Sequence, residues 1–210
     1  MEKFDVRVVY KALYAPSAKD FTQVDVPEMR YLAIDGAGDP NTAPAYAEAV
    51  QSLYTVAYTL KFGGKKSLGQ DFAVGPLEGL WRADDSNAFA GGDKGAWKWT
   101  MLLPLPDWIT ADMVGQSGQD AFRKKQIGAI KEIRLMSLTE GLSIQILHIG
   151  SYDDEAPTLR CLHHEYMPDH GLTFNGDHHE IYLSDPRRTA PEKLKTILRQ
   201  PVKPIGQSAR

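Results

Sequence analysis

The sequence has 210 residues, of which 42% are hydrophobic and 24% charged, and its formal net charge is −3. This composition is typical of a globular protein and excludes a disordered chain. No apolar run reaches the roughly 18 residues of a membrane span, and the mildly acidic charge disfavours bulk attraction to nucleic acid or anionic lipid. The N-terminus lacks the apolar core of a signal peptide, and the single cysteine, Cys161, fits a reducing compartment. We therefore expect a cytoplasmic protein without nucleic-acid or membrane partners, and the oligomeric state stays open.

The first half of the chain predicts a strand, a helix and two further strands. The helix has an apolar face that repeats at spacings of three and four residues, a proline in its first turn and a Gly-Gly pair as a stop signal. The strands are bounded by glycines, prolines and a polar loop at residues 85–95. We predict these elements at residues 29–36 (strand), 44–63 (helix), 72–84 (strand) and 96–105 (strand).

The second half predicts the same order of elements. A strand covers residues 143–150, a helix covers residues 155–170, and residues 173–184 contain another strand. The segment GLWRADD, from Gly79, aligns with EIYLSDP, from Glu180, so that Trp81 lies opposite Tyr182. This weak sequence repeat, together with the common order of elements, indicates a duplicated unit.

The predicted fold class is therefore α+β, with duplicated strand-helix-strand-strand units in an antiparallel sheet. The two units would be related by a pseudo-twofold axis, along which a central groove could bind a small molecule. We predict a single domain over residues 21–200. The domain consists of a first half (21–110), a basic crossover segment (111–140) whose helix covers residues 111–138, and a second half (141–200). An N-terminal extension (1–20) precedes it, and a loose tail (201–210) follows the last element, which ends near Gln200.

The run HHEIYLSDPRR holds the residues best suited to chemistry. In a strand, His178, Glu180 and Tyr182 point to one side and the residues between them to the other. The intervening set is more apolar, so we assign it to the helix-covered face and the first set to the groove. A carboxylate among aromatic side chains loses hydration, which favours a role as general base. The alternative is a surface strand with a solvated glutamate.

Aromatic side chains aimed at the same groove favour ligand binding. Trp81 matches Tyr182 in the repeat, and Trp99 lies on the neighbouring predicted strand. Flat aromatic walls around one carboxylate suit an aromatic or cationic small molecule, through stacking and charge. The alternative is that these tryptophans belong to the core, which is the interpretation that we prefer for Trp97 and Trp108.

Several other patterns do not predict a site. The histidine pairs at 163–164 and 178–179 lack an HExxH motif, and neighbouring strand residues face opposite ways, so we expect no metal. GGKKS, at 63–67, lacks the spacing of a phosphate-binding loop and is interpreted as a helix stop followed by a loop. No GxSxG motif occurs and Cys161 lies within a predicted helix, which disfavours a nucleophilic hydrolase. The basic run at 123–125 is interpreted as a solvated helix face. We expect no cofactor.

Four segments together resemble the stand-alone GyrI-like small-molecule-binding proteins. They are LYTVAYTLKF, GLWRADD, KWTMLLPLPDWIT and HHEIYLSDPRR, and the resemblance covers about residues 20–200. The resemblance implies the duplicated fold and a kinship with the drug-binding domains of multidrug-responsive regulators. Because the sequence shows no DNA-binding domain, we do not expect it to act as a regulator.

The chain is most similar to a subgroup of hydrolases that open the cyclopropane ring of cyclopropanoid, DNA-alkylating compounds. This resemblance implies Glu180 and Tyr182 as catalytic residues. It also implies that the flat ligand is held by aromatic residues, with Trp81 matched by motif. The wider set of candidate ligand-binding residues is Trp81, Trp99, Tyr54, Tyr58, His148, Tyr152 and His178.

Two functions remain open from the sequence. One is an enzyme that uses Glu180 to activate water against a cyclopropane and so detoxifies the compound. The other is a non-catalytic protein that binds and sequesters aromatic cations. A third and weaker alternative is an interaction protein such as a gyrase antagonist.

Overall fold

The structure, a computed structural model, describes residues 3–82 and 94–207 of the chain. These residues divide into two compact units. Unit 1 combines Met1–Val9 with Met29–Leu138, and unit 2 combines Tyr10–Glu28 with Thr139–Arg210. In chain order the elements are helices α1 (Val6–Val9) and α2 (Lys11–Tyr14), strands β1 (Thr22–Val26) and β2 (Met29–Ala37), helix α3 (Pro44–Ser67), strands β3 (Leu77–Arg82) and β4 (Lys98–Leu105), helix α4 (Ala111–Lys125), strands β5 (Arg134–Leu138) and β6 (Gly141–Ile149), helices α5 (Ala156–Cys161) and α6 (Met167–Asp169), and strands β7 (Leu172–Phe174), β8 (His178–Tyr182) and β9 (Lys195–Pro204).

The two units have the same topology, and both contain antiparallel strands. Unit 1 has the strand order β3-β4-β2-β5. Unit 2 has the order β8-β9-β6-β1, and β7 pairs with the end of β9. Each unit therefore contains a strand-helix-strand-strand repeat, as the sequence predicts, and each adds one edge strand, β5 or β1, that the sequence does not reveal. The predicted α+β class is confirmed.

Helix α3 has the predicted start but a different end. It continues through Gly63 and Gly64 to Ser67, and the N–H of Leu68 donates to the carbonyl of Gly64 at 2.9 Å. A Cβ on Gly64 would lie 3.1 Å from the ring of Trp108. This glycine permits close packing within the helix, so the predicted helix stop at 63–64 is wrong.

The predicted crossover helix is also wrong over its second half. Helix α4 ends at Lys125 because Gln126 adopts a left-handed conformation, with φ 55°, and donates its N–H to the carbonyl of Phe122. A short 3-10 turn, Gly128–Glu132, leads into β5, which pairs with β2. The apolar residues at the end of the predicted helix therefore belong to an edge strand.

Three other boundaries differ from the prediction. The predicted strand at 173–184 consists of two strands, β7 and β8. The first residues of the predicted tail, 201–204, continue β9, where they pair with β6 and β7. The strand predicted at 72–84 begins at Leu77 as β3. Residues 83–93, which include most of the predicted polar loop, lie outside the described residues.

A buried ionic cluster holds the interior of unit 2. Glu140 accepts a hydrogen bond from Arg199 at 3.0 Å and lies 3.0 Å from Nδ1 of His179, and the side chains of all three are at most 2% exposed. Arg199 also donates to Gln145 and to the carbonyl of Leu13 in α2. Burial alone would raise the pKa of Glu140, but the neighbouring His179 and Arg199 lower it to about 2. The cluster thus joins β8, β9 and β6 to the N-terminal segment.

We expect Glu140→Gln to destabilise the protein by about 3–5 kcal/mol, because Arg199 would keep its charge without a buried counter-ion. Urea unfolding at pH 7 measures the loss. The control is Asp120→Asn, which removes an exposed carboxylate that pairs with Arg123 on α4 and should leave the midpoint unchanged. Equal midpoints for Glu140→Gln and the wild type would contradict this role of the cluster.

The same carboxylate predicts a pH dependence. Its pKa is about 2 in the folded protein against an ordinary value of 4.5, so folding favours the charged form. The stabilisation is complete above pH 4.5 and is lost as the pH falls towards 2. Urea midpoints measured between pH 5 and pH 2.5, a window set by these two pKa values, should fall less steeply for Glu140→Gln than for the wild type.

Candidate functional site

Strand β8 carries a compact polar group. His178, Glu180 and Tyr182 alternate with buried residues along the strand and so share one face. The Tyr182 hydroxyl donates to Oε2 of Glu180 at 2.8 Å, and Nε2 of His178 lies 3.4 Å from Oε1. The side chains of His178 and Glu180 are only 8% and 14% exposed. The structure therefore brings together the two predicted catalytic residues and one predicted ligand-binding residue.

The helical segment 152–169 packs against this same face. The ring of Tyr152 meets that of Tyr182 edge-on at 5.6 Å, and the ring of His163 meets that of His178 edge-on at 6.3 Å. The prediction that the opposite face is the helix-covered one is therefore wrong for this segment. On that opposite face His179 takes part in the ionic cluster, a role that counting apolar residues along the strand does not reveal.

Burial and nearby negative charge both act on the hydroxyl of Tyr152. Burial and the charges of Glu155, Glu180 and Asp185 raise the pKa of Tyr152 to about 12. Glu155 is itself only 4% exposed, whereas Tyr152 is 38% exposed. Tyr152 is therefore an un-ionised hydrogen-bond donor at neutral pH, with its ring accessible. Negative charge around an exposed aromatic ring suits a cationic ligand.

Two further histidines border this face. Burial, together with the neighbouring His178 and His164, lowers the pKa of His163 to about 4, so its ring is neutral at pH 7. Thr196 on β9 is the cross-strand neighbour of both His148 on β6 and Tyr182 on β8. His148 therefore lies on the same face of the sheet as Tyr182, two strands away. Nε2 of His148 contacts the carbonyl of Ser151 at 3.1 Å. The ligand-binding role of His148 stays a prediction.

The predicted aromatic residues of unit 1 form their own cluster. Trp81 and Trp99 are directly opposed on β3 and β4. Tyr46 of α3 lies 6.3 Å from the ring of Trp81 and 5.3 Å from that of Trp99, and Trp97 lies 5.5 Å from Trp81. Trp81 is 4% exposed and Trp99 is 1% exposed. Within unit 1 both are packed residues, and their predicted contact with a ligand stays a prediction.

The ring of Trp99 occupies the space that a side chain at residue 36 would need. A Cβ on Gly36 would lie 2.0 Å from the Trp99 ring, and Trp99 Nε1 donates to the carbonyl of Gly38 at 3.3 Å. In the same way, a Cβ on Gly79 would lie 2.9 Å from Nε1 of Trp81. Because Gly79 aligns with Glu180, the repeat places an indole over glycine in unit 1 and a phenol on a carboxylate in unit 2.

The two predicted tyrosines of α3 differ in their surroundings. Tyr58 is 47% exposed and stacks on Phe62, with ring centroids 6.3 Å apart. Both line a groove of about 850 Å³ between α3 and α4, within unit 1. Tyr54, one turn earlier, is half-buried. The structure therefore associates Tyr58 with Phe62 and with α4, and its predicted role in the ligand site stays a prediction.

Three residues that sequence reasoning did not assign to the site border the predicted ones: Glu155, His163 and Tyr46. Glu155 is the third of three successive acidic residues, and the sequence does not show which of them is buried.

Within residues 3–82 and 94–207, no three His, Cys, Asp or Glu side chains are grouped as metal ligands. In the same ranges none of the helices is long and apolar enough to cross a membrane.

Residues 19–203 match the family model described as the GyrI-like small molecule binding domain. The chain belongs to the GyrI-like family. It is 40% identical to a conserved protein from Listeria innocua, with a TM-score of 0.88 over 96% of this chain and 100% of that one. Two structures described as hydrolases from the same organism are 37% and 38% identical, each with a TM-score of 0.83 over 96% of this chain and 100% of theirs. A comparison with curated proteins finds no match.

The carboxylates around Tyr152 can be tested by titration of its phenol. Glu180→Gln removes one of three negative charges near the hydroxyl, so the pKa of Tyr152 should fall from about 12 towards its ordinary value of 10.0. NMR of the tyrosine ring against pH measures the shift. Glu165→Gln is the control, because Glu165 is not among the charges that raise the pKa of Tyr152, and the substitution should leave that pKa in place. An unchanged titration in Glu180→Gln would place that carboxylate away from the phenol.

Proposed function

We propose that this GyrI-like protein is a hydrolase that opens the cyclopropane ring of cyclopropanoid, DNA-alkylating compounds by Glu-assisted attack of water. The observation that carries the proposal is the Tyr182–Glu180 hydrogen bond of 2.8 Å on β8, beside the buried His178. The 37–38% identity to chains described as hydrolases supports hydrolytic chemistry. The sequence motif HHEIYLSDPRR, which resembles the cyclopropanoid hydrolases, supports the choice of substrate.

The tyrosine hydroxyl fixes one oxygen of the proposed base. Tyr182 donates to Oε2, which leaves Oε1 of Glu180 as the more basic oxygen, and we assign to it the acceptance of a proton from water. The water oxygen bonds to a cyclopropane carbon while a carbon–carbon bond of the ring breaks. The released electron pair moves through the conjugated system to the carbonyl oxygen, which becomes a phenol on protonation. Glu180 takes the water proton and returns it to solvent, so the net reaction is addition of one water.

A positioned general base contributes typically 10²–10⁴-fold to a rate. A strained and activated cyclopropane needs little more rate enhancement than this, so one carboxylate with one hydrogen-bond donor is sufficient to open it. Tyr152 adds an accessible ring and a protonated hydroxyl next to the same carboxylate. We propose that Tyr152 contacts the ligand. Ring opening removes the alkylating group, and the physiological result would be detoxification.

A second candidate is a non-catalytic protein that binds aromatic cations. The observation that favours it is the group of carboxylates around the exposed ring of Tyr152, since negative charge beside an aromatic face binds cations without any reaction. Saturable binding of several unrelated cationic dyes, with no water adduct of any cyclopropanoid compound, would select this alternative.

Glu180→Gln should retain ligand binding and lose turnover by at least about 10²-fold, because the amide keeps the shape of the side chain but cannot accept the proton. Mass spectrometry of a duocarmycin-like compound incubated with each protein counts the water adducts formed per enzyme molecule. Glu165→Gln, an exposed isosteric change, is the matched control and should turn over as the wild type does. Equal turnover by Glu180→Gln would remove this residue from the reaction.

Trp81→Ala should weaken binding of the same compound by about 1–3 kcal/mol if the indole stacks on it. Trp81→Phe keeps an aromatic ring and should recover most of the affinity. Since Trp81 is packed between Tyr46 and Trp97, thermal unfolding of each variant must accompany calorimetric titration. A folded Trp81→Ala protein with wild-type affinity would place Trp81 outside the ligand site.

A further inference from the structure

His178, which lies beside Glu180, and His163, which packs edge-on against His178, carry three buried ring nitrogens that make no hydrogen bond within the described part of the chain. They are Nδ1 and Nε2 of His178 and Nε2 of His163. The His178 side chain is only 8% exposed, and its Nε2 lies 3.4 Å from Glu180 without meeting the geometry of a hydrogen bond. The rings of His178 and His163 lie edge-on at 6.3 Å.

Such groups are unfavourable for folding. A buried donor or acceptor that finds no partner loses its hydration and gains nothing in return. Folded proteins leave few of them, and those that persist call for an explanation. Positions that violate the rules of packing are expected at functional sites. The nitrogens of His178 and His163 are therefore better explained by a ligand than by the fold.

We infer that His178 and His163 form a polar subsite beside Glu180 that receives an uncharged hydrogen-bonding group of the ligand, such as an amide or a ring N–H. This inference rests on the proposed function as a small-molecule site and deepens it. Together with the aromatic rings, it restricts the ligand to flat molecules that carry a neutral polar group on one edge.

The charge state of the pair argues for a neutral group. The pKa of His163 is held at about 4, so its ring is neutral at pH 7, with one N–H donor and one lone pair. The side chain of Gln200 opposes this lowering of the pKa only weakly, and Nε2 of His163 makes no hydrogen bond within the described residues. An anionic group would be repelled by the carboxylate of Glu180 close by. An amide or a ring N–H next to a carbonyl offers the donor and the acceptor that two neutral imidazoles can match.

Substitutions at His178 separate this role from a general effect on the fold. His178→Leu removes both nitrogens, whereas His178→Gln keeps a donor and an acceptor. His164→Leu, an exposed change on the same helical segment as His163, is the matched control. The probes are a duocarmycin-like compound with a ring N–H and its N-methyl analogue, and calorimetric titration measures the affinity of each for each protein.

We expect His178→Leu to weaken binding of the N–H compound by about tenfold or more, the size of one lost hydrogen bond to a buried partner. Binding of the N-methyl analogue should change less than about twofold, and His178→Gln should recover most of the loss. The control variant should bind both probes as the wild type does. Equal losses for the two probes in His178→Leu would overturn the inference.

A ligand-free measurement tests the inference separately from the proposed function. If the nitrogens of His178 have no partner in the protein, His178→Leu should unfold at or above the temperature of the wild type. A fall of more than about 5 °C would show that the imidazole stabilises the fold, and would overturn the inference. If the wild type binds neither probe, the proposed cyclopropanoid function is wrong. The thermal midpoint of His178→Leu then tests the inference by itself: a midpoint at or above that of the wild type supports a ligand-binding role for His178, and a lower one overturns it.

Discussion

The residue between the two site residues His178 and Glu180 is the one whose interaction holds the strand in place. His179 lies in a fully buried cluster with Glu140 and Arg199, on the opposite face of β8. Because side chains alternate along a strand, fixing His179 on one face determines where His178 and Glu180 point on the other. A slip by one residue would bury Glu180 and break the ionic cluster at once. The geometry of the carboxylate that we propose as the general base thus depends on an ion pair on the opposite face of the strand.

The internal repeat shows how one backbone position carries different groups in the two units. Both units build the same strand-helix-strand-strand topology, and in both an aromatic side chain on the third element of the repeat reaches back over the residue two positions earlier. In unit 1 that residue is Gly79, which leaves room for the indole of Trp81. In unit 2 it is Glu180, which receives the hydroxyl of Tyr182. The same backbone position therefore serves packing in unit 1, and in unit 2 it carries the carboxylate that we propose as the general base.

Much of this arrangement could be predicted from local sequence, because alternation along a strand and periodicity along a helix are local properties. They were sufficient for β2, β4, β6, the start of α3 and the shared face of His178, Glu180 and Tyr182. What could not be predicted depends on contacts between residues far apart in the sequence. The edge strands β1 and β5 form against β6 and β2, and Gly64 lies within α3, where the ring of Trp108 packs on it. Likewise, the role of His179 needs Glu140, which lies 39 residues away.

In the proposed mechanism Glu180 delivers water, and not its own carboxylate, to the electrophilic carbon. A carboxylate held by one tyrosine could also attack directly and would then become alkylated. The most direct measurement is the reaction of the wild-type protein with a duocarmycin-like compound in ¹⁸O-labelled water, with mass spectra of both product and protein. We expect an opened product that carries one ¹⁸O and a protein of unchanged mass after many turnovers. A protein that gains the mass of the compound at Glu180, with no labelled product released, would contradict it.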